Sequence, residues 1–298
     1  MSVVSRRVAA GMANPWGRAR FLWVWTWLYL SWSLVPVLIA IRISFNSTRS
    51  LVEAQGWSLI WWFSHPTLSA WNRPELRSAL FQSMRLATLT VLIAVPLGVA
   101  FALALDRWRG PLPASANFLM ALSWVMPELM IGVALFLVFS EVLTIVPLGT
   151  AGQAIGLITF EMTYPVIIVR ARLLSLEQRY EEAAMDLGAS PAGALWRGVI
   201  PVLLPAIVAS AMIVFVDAID DFVIASWLSG PASSETVAIR IYSDARGAVT
   251  PALNALGSMM LGTSIVVLAA GGMLYRRLAR RSATTDGAGL TDFVASQA

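Results

Sequence analysis

Long apolar runs separated by short polar segments make up most of this chain. Six of the runs contain about 20 residues or more, the length that an α-helix needs to cross the hydrocarbon core of a bilayer. They cover about residues 21–43, 76–105, 117–142, 149–174, 199–228 and 252–275. The pattern therefore predicts an all-α, polytopic membrane protein with six transmembrane helices over residues 21–281.

Polar segments flank this six-span region at both ends. Residues 1–20 carry four arginines, and the apolar run after them could be mistaken for a signal peptide. That run is longer than the ~7–15 apolar residues of a signal peptide, and it lacks a cleavage site, so we expect an uncleaved first span. Residues 282–298 are small and polar, and we expect them to form a disordered cytoplasmic tail.

The segment from Ser44 to Glu75, between the first two spans, is polar and rich in aromatic residues. Its tryptophans, spaced as on one face of a helix, are Trp57, Trp61, Trp62 and Trp71. They predict a short amphipathic helix that lies on the outer membrane surface. His65, the only histidine of the chain, lies among them. We interpret it as a loop or interface residue and not as a metal ligand.

The arginines are distributed unequally between the two ends of the spans. The side that carries both termini has Arg6, Arg7, Arg18, Arg20, Arg107, Arg109, Arg170, Arg172, Arg179, Arg197, Arg276, Arg277, Arg280 and Arg281. The opposite side has Arg42, Arg49, Arg73, Arg77, Arg240 and Arg246. Because arginine is enriched in cytoplasmic segments, both termini and the segment 175–198 are predicted to be cytoplasmic.

Composition supports the membrane assignment and excludes several classes of function. Hydrophobic residues make up 58% of the chain and charged residues 13%, against about 45–50% and about 25% in soluble domains. The net charge of +4 comes from arginines that flank apolar spans, so it does not indicate a nucleic-acid partner. The absence of cysteine excludes disulfides, thiolate metal sites and cysteine nucleophiles. All 21 basic residues are arginine, so a Walker A lysine is absent and any ATP is expected to be hydrolysed by another subunit.

Five of the acidic residues inside the predicted spans are candidates for a functional role, since an acid at the bilayer centre costs about 2.5–3.5 kcal/mol. They are Glu128, Glu161, Asp217, Asp220 and Asp221. Pro127 directly before Glu128 and Pro165 shortly after Glu161 predict kinks beside both glutamates. The three aspartates lie ~27–33 Å along span five, which places them near its outer end.

Two interpretations of these acids stay open. Arg85 is the only basic residue well inside a predicted span, and an ion pair with it would give one of the acids a structural role. Alternatively, the acids line a path for a cationic solute, as intramembrane acids and broken helices commonly do in transporters. The group of three aspartates favours the second interpretation.

The segment 175–198, between spans four and five, predicts a helix, a sharp turn and a second helix. Ser175 and Gln178 have the spacing of a capping box, which starts a helix. Gly188 supplies the left-handed residue that commonly follows a helix C-terminus. Ser190-Pro191 is typical of an N-cap followed by the first helical position.

Within this segment, Glu182-Ala183-Ala184 and Gly188, followed by Ile200-Pro201, resemble the EAA loop of bacterial ABC-importer permeases. In that family the loop is a cytoplasmic coupling helix that docks on a separate ATPase, which binds the ATP and Mg. The resemblance implies that the ATPase contact is shaped by Glu181, Glu182, Ala183, Ala184 and Gly188. Gly198 and Ile200 stand where the family usually has Ile and Leu.

The stretches 219–231 and 241–262 resemble the second permease subunit of spermidine/putrescine importers. The resemblance implies a multi-pass subunit of the bacterial inner membrane that imports polyamines or a similar small organic cation and has no catalytic or metal site. It also implies ATPase subunits, a second homologous permease subunit and an extracytoplasmic binding protein as partners, besides membrane lipid. The residues leave open an ABC importer for another small solute, a secondary transporter or channel, a membrane scaffold and a membrane enzyme. The enzyme is disfavoured because no nucleophile motif or histidine cluster is present.

Overall fold

Helices account for all the regular secondary structure in the described part of the chain. The computed structural model describes residues 20–296 except 52, 54, 109–114, 117, 121, 123–124, 176–178 and 248–249. The α-helices with defined limits are α1 (Arg20–Ser44), α2 (Pro74–Arg107), α3 (Glu128–Leu137), α4 (Thr150–Glu161), α5 (Thr163–Ser175), α6 (Arg179–Asp186), α7 (Pro191–Ala194), α8 (Ile200–Asp220), α9 (Val223–Trp227), α10 (Val237–Ala245) and α11 (Pro251–Ser296).

Five helical stretches within the described residues are long and apolar enough to cross a membrane. They are Leu22–Ser44, Pro74–Arg107, Thr150–Ser175, Pro191–Asp220 and Pro251–Ala279. These stretches coincide with the predicted spans one, two, four, five and six. The all-α membrane architecture is confirmed, whereas the count of six spans is not.

The predicted third span, residues 117–142, is not one helix in its described part. Pro127 has an extended backbone with ψ 129°, and α3 begins only at Glu128 and ends at Leu137, where a π-helical turn continues to Val142. Proline has no amide hydrogen to donate and its ring crowds the preceding turn, so the helix cannot pass through it here. The kink predicted at Pro127 is therefore a complete break.

Breaks also divide the fourth and fifth spans. α4 ends at Glu161 and α5 starts at Thr163, because Pro165 has no amide hydrogen to bond the Glu161 carbonyl group. Span five was predicted to reach residue 228, but α8 ends at Asp220 and the short α9 follows. At its N-terminal end this span begins earlier than predicted, since α7 and the π-helical turn Leu195–Val199 run directly into α8.

The segment between α1 and α2 differs from its prediction. Instead of an amphipathic helix, it forms a loop that contains a single π-helical turn, Ile60–Ser64. Hydrogen bonds from side chains to the backbone fold this loop, and His65 takes part through Nδ1, which accepts from the amides of Thr67 and Leu68. The His65 ring stacks on Trp61. His65 is therefore a loop residue, as the sequence indicated.

The helix α2 lies at the centre of the bundle, where it packs against α4, α5 and α8. α8 packs in turn against α11, whereas α1 contacts α11 and exposes nearly all its apolar side chains. The helix α11 continues to Ser296, so residues 282–296 are helical where the sequence predicted disorder. No proline follows Pro251, and the backbone therefore meets no obligatory stop.

Candidate functional site

The segment between α5 and α8 folds as the helix, turn and helix that its local residues predict. Gly188 has φ +85°, its amide donates to Met185 O at 2.8 Å, and the Ala189 amide donates to Ala184 O at 3.0 Å. This pair of bonds is the Schellman arrangement, in which a left-handed glycine ends the helix. Ser190 then accepts from the Gly193 amide at 3.2 Å and starts α7. The predicted turn at Gly188 is confirmed.

The predicted start of the first helix is wrong. Ser175 is the last residue of α5, and its hydroxyl donates to Arg172 O at 2.7 Å instead of capping a following helix. Gln178, the other residue of the proposed capping box, lies outside the described residues. α6 begins at Arg179.

Most of α6 and its turn is open to solvent. Glu182 and Ala183 are exposed, Ala184 is half-buried, and Leu187 and Trp196 expose 90% and 69% of their surface. We call Glu182, Ala183, Leu187 and Trp196 the coupling surface. Large apolar side chains that are left this exposed can meet a partner protein or lipid.

Glu181 does not belong to this surface. Its Oε2 accepts from Nη2 of Arg107, at the end of α2, at 2.8 Å. Of the five residues predicted to shape the ATPase contact, Glu181 therefore faces the membrane domain, and Gly188 acts through the turn that it permits. A Cβ atom added at Gly188 would meet nothing within 4 Å, so its conformation and not a lack of space demands glycine.

A second candidate site forms where three helix breaks meet. Glu128 is the first residue of α3, Glu161 is the last residue of α4, and Asp221 follows the end of α8. Asp217 lies one turn before that end. Glu161 interacts electrostatically with the other three carboxyl groups, and Asp221 also contacts Glu128. We call these four residues the carboxylate cluster.

Glu161 is the buried member of the carboxylate cluster. It exposes 1% of its surface, and its Oε2 has no hydrogen-bond partner in the described structure. Asp217, which Glu161 contacts, is exposed, and the Tyr164 hydroxyl lies beside the Asp217 carboxyl group. A buried carboxyl oxygen without a donor is costly. The cluster therefore offers acceptors for a cation that approaches from the Asp217 side.

The neighbouring Asp220 and Asp221 differ in their surroundings. Asp221 Oδ1 accepts from the Ala225 amide at 2.7 Å, and this bond caps α9. Asp220 instead lines a separate cavity of about 220 Å³ together with residues of α10 and α11, among them Ile241 and Ser264. Adjacent residues are about 100° apart around a helix, which accounts for the separation. The structure thus brings four of the five predicted acids together, whereas Asp220 interacts electrostatically with Asp217 and lines the separate cavity.

Arg85 is not the partner of these acids. Its side chain is exposed, and it forms no ion pair with any residue that the structure describes. The proposed structural pairing of an intramembrane acid with Arg85 is therefore wrong for the described residues. Within the same residues, no group of three or more histidine or acidic side chains is arranged to hold a metal ion.

Sequence reasoning missed the buried polar network that holds the segment after Asp221. Gln82 Nε2 donates to Thr150 Oγ1 at 2.9 Å and to Gln153 Oε1 at 3.0 Å. Gln153 Nε2 donates to the carbonyl groups of Ala225 and Ser234 at 2.9 and 3.0 Å. The available signal was the presence of two glutamines in otherwise apolar runs, since a buried amide needs partners.

Close packing completes this arrangement around α9. A Cβ atom at Gly156 would overlap Leu228 Cδ1 and lie 2.9 Å from Ile224 Cγ2. At Gly132 it would lie 3.1 Å from Cδ1 of Trp227. The two glycines therefore let α9 lie directly against α3 and α4, beside the carboxylate cluster.

Comparison with known proteins identifies the class of this molecule. Residues 94–283 match the family described as binding-protein-dependent transport system inner membrane component. The putrescine transport system permease protein PotI of Escherichia coli (strain K12) is 31% identical over 239 residues, which cover 78% of this chain and 82% of that protein. The spermidine/putrescine transport system permease protein PotC of the same strain is 31% identical over 245 residues, covering 81% and 89%.

Solved structures agree in fold. A bacterial ABC transporter that imports the acidic polysaccharide alginate contains a chain with a TM-score of 0.69 at 16% identity, covering 87% of this chain and 96% of that one. The MetNI methionine ABC transporter in an inward-facing form gives a TM-score of 0.56 at 16% identity, covering 67% and 94%. The family excludes the secondary transporter, channel, scaffold and enzyme that the residues left open. This chain belongs to the binding-protein-dependent transport system inner membrane components, and it is a permease subunit of an ABC importer.

Proposed function

We propose that this permease subunit imports polyamines or a similar small organic cation, and that the carboxylate cluster binds the cation on its way through the membrane. The observation that carries the proposal is the meeting of four carboxyl groups at three helix breaks. An alkylammonium group brings one positive charge and up to three donors. It satisfies the unpartnered Oε2 of Glu161 and offsets the charge of its neighbours.

The broken helices add to the attraction. α8 ends at Asp220, and the free carbonyl groups of a helix C-terminus carry about half a negative charge. Helices interrupted near a substrate site are a common device of transporters. The substrate class also agrees with the names of the relatives, which are described as permeases for putrescine and for spermidine/putrescine.

In the proposed transport cycle another subunit binds and hydrolyses the ATP. The coupling surface, with Glu182 and Ala183 at its centre, docks on an ATPase that binds ATP and Mg, and Gly188 holds the docking helix at its angle. A second homologous permease subunit completes the path, and an extracytoplasmic binding protein delivers the solute. The alginate transporter, whose fold is similar, has been solved with a periplasmic protein bound to its solute.

The orientation that we propose places both termini and α7 in the cytoplasm of a bacterium. Single cysteines test it, because the chain has none of its own. Ala192→Cys is expected to resist an impermeant maleimide in intact cells, whereas Thr67→Cys and Ser233→Cys react. Thr67 is preferable to Ser69 as the outer site, because Ser69 is fully buried. Labelling at position 192 in intact cells would overturn the orientation.

The substrate is tested in proteoliposomes that contain this chain, the second permease subunit, the ATPase and the binding protein. We expect ATP-dependent uptake of radiolabelled putrescine and spermidine, and none of butane-1,4-diol, which has the same carbon chain without charge. An ATPase variant that lacks its Walker A lysine is the control for ATP dependence. The proposal is contradicted if ATP-dependent uptake of the neutral diol equals that of putrescine, or if putrescine and spermidine enter without ATP hydrolysis.

A further inference from the structure

Two adjacent glutamates at the start of α6 face different surroundings. Glu182 is exposed on the coupling surface. Glu181 instead pairs with Arg107, with 2.8 Å between Oε2 and Nη2, although the two residues are 74 positions apart. The side chains of this pair expose only 28% and 40% of their surface. One glutamate thus serves the docking contact, and the other ties α6 to α2.

The charges of the pair suit the helix ends that carry them. Glu181 lies in the first turn of α6, where the helix dipole is positive, and Arg107 lies in the last turn of α2, where it is negative. Each helix therefore stabilises its own charge, and the ion pair joins two helix ends of opposite sign. A partly exposed pair of this kind contributes little to overall stability. What the ion pair determines instead is the position of α6 relative to α2.

The other contacts of α6 lead to a different helix. α6 packs against α7 and the π-helical turn Leu195–Val199, and both continue without interruption into α8. These contacts connect α6 to α8. The Arg107–Glu181 ion pair adds a connection to α2.

α2 extends this connection across the membrane. It is one helix of 34 residues, and Pro96 does not break it. The distance along it from Arg107 to Gln82 is ~37 Å, at ~1.5 Å per residue. Gln82 bonds Gln153, which holds Ala225 O, and Ser83 Oγ accepts from the Val237 amide at 3.0 Å. The outer part of α2 thus holds the segment that follows the carboxylate cluster.

From this arrangement we infer that Arg107 is a positioning residue for transport: its ion pair with Glu181 passes the displacement of the docked α6 to α2 and through α2 to the segment 223–237 beside the carboxylate cluster. The inference rests on the proposed function, in which α6 docks on an ATPase. Without the ion pair, the ATPase still docks through Glu182, and ATP is hydrolysed with less solute moved.

The test measures solute imported per ATP hydrolysed in proteoliposomes that hold the complete complex. Arg107→Gln and Glu181→Gln are each expected to lower this ratio about five-fold, while the ATPase subunit copurifies as before. Asp106→Asn is the matched control, since Asp106 is exposed, adjacent to Arg107 and without an ion pair in the described structure. It is expected to keep the wild-type ratio.

Charge exchange separates an ion pair from an unrelated effect of either residue. The ratio of solute imported to ATP hydrolysed is expected to be lower in Arg107→Glu and in Glu181→Arg than in the glutamine variants. The double variant is expected to recover at least half of the wild-type ratio. Recovery stays incomplete because each exchanged charge opposes the dipole of its helix. A double variant no better than the single ones, or a wild-type ratio in Arg107→Gln, overturns the inference.

Spin labels read the position of α6 independently of transport. With labels at Ala104→Cys of α2 and Asp186→Cys of α6, the distance distribution in the purified complex is expected to broaden in Arg107→Gln and to narrow again on charge exchange. An unchanged distribution in Arg107→Gln overturns the positioning role even where transport is impaired. If the wild-type complex fails to import any cation, the proposed function fails, and the label distances still decide whether Arg107 positions α6.

Discussion

The coupling segment and the carboxylate cluster differ in how the chain builds them. Residues 179–197 form the first from one continuous stretch, in which a positive-φ glycine and a serine cap set the geometry. The second assembles Glu128, Glu161 and Asp221 from three stretches that each end or begin at a helix break. A surface made locally depends on a few neighbouring residues, whereas a site made at breaks depends on the packing of the whole bundle.

Charge reversal at the coupling surface is expected to have the largest effect. Glu182→Lys places a cation where the proposed docking contact has an acid, and placing like charges opposite each other costs several kcal/mol in an interface. Binding of the ATPase, measured by copurification, and ATP-driven uptake are expected to fall about a hundred-fold. Glu182→Gln, which removes the charge without reversing it, should lose less. Uptake near the wild-type rate in Glu182→Lys at equal expression removes the coupling assignment.

Replacing the buried carboxyl group of the carboxylate cluster is expected to have the next largest effect, in the second of the two regions compared. Glu161→Gln keeps the size of the side chain and removes the carboxyl group that would bond a bound cation, and a hydrogen bond to a charged group is worth about 1.5–3 kcal/mol. The KM for cation uptake should rise ten-fold or more, while the ATPase copurifies as in the wild type. Asp220→Asn, outside the cluster, is the matched variant and should change KM less than about three-fold. An equal rise of KM in Glu161→Gln and Asp220→Asn would show that the carboxylate cluster has no special role in cation uptake.

The turn of the coupling segment gives an intermediate effect. Free space is available for a new side chain in Gly188→Ala and Gly188→Val, but the left-handed backbone destabilises both variants by about 1–2 kcal/mol. Uptake is therefore expected to fall several-fold in both, and less in Gly188→Asn because asparagine tolerates this conformation. Valine is expected to lower uptake more than alanine, because a β-branched side chain is especially disfavoured at positive φ. Wild-type uptake in Gly188→Val would show that the turn is not needed.

The smallest effect is expected at the cap of α9. Asp221→Ala removes the acceptor for the Ala225 amide and should cost about 1 kcal/mol, seen as lower abundance and a lower Tm in detergent. Asp221→Asn keeps an acceptor oxygen and should retain abundance while it impairs cation uptake. Equal abundance of the alanine, asparagine and wild-type proteins would mean that the cap does not stabilise the segment after Asp221.

The features that the sequence predicted correctly act over a few residues. Gly188, Ser190 and Pro127 each determine the backbone of their own turn, so local rules sufficed, although the break at Pro127 is sharper than a kink. The resemblance carried by residues 182–188, 219–231 and 241–262 identified the family. The arrangement of the spans followed from apolar length, with the exception of the third.

Long-range contacts could not be predicted in this way. The pairs Gln82–Gln153 and Arg107–Glu181 join residues 71 and 74 positions apart, and their spacing in sequence carries no signal. The same limit led to the proposed pairing of Arg85, which faces outward. The divergence of Asp220 and Asp221 followed from helix geometry, but which of them meets the other acids depended on how α8 packs.

The peripheral helix α1 has a consequence for biogenesis. None of the residues in its most apolar stretch is fully buried against the rest of the chain, and the match to the family begins only at residue 94. A span that makes so few contacts can insert as an independent unit before the bundle assembles, as in two-stage folding of membrane proteins. Its side chains, among them Trp23 and Trp32, then meet lipid or a partner and contribute little to the core. An unrelated span of equal length in its place should leave insertion of the remaining helices intact and alter assembly with other subunits.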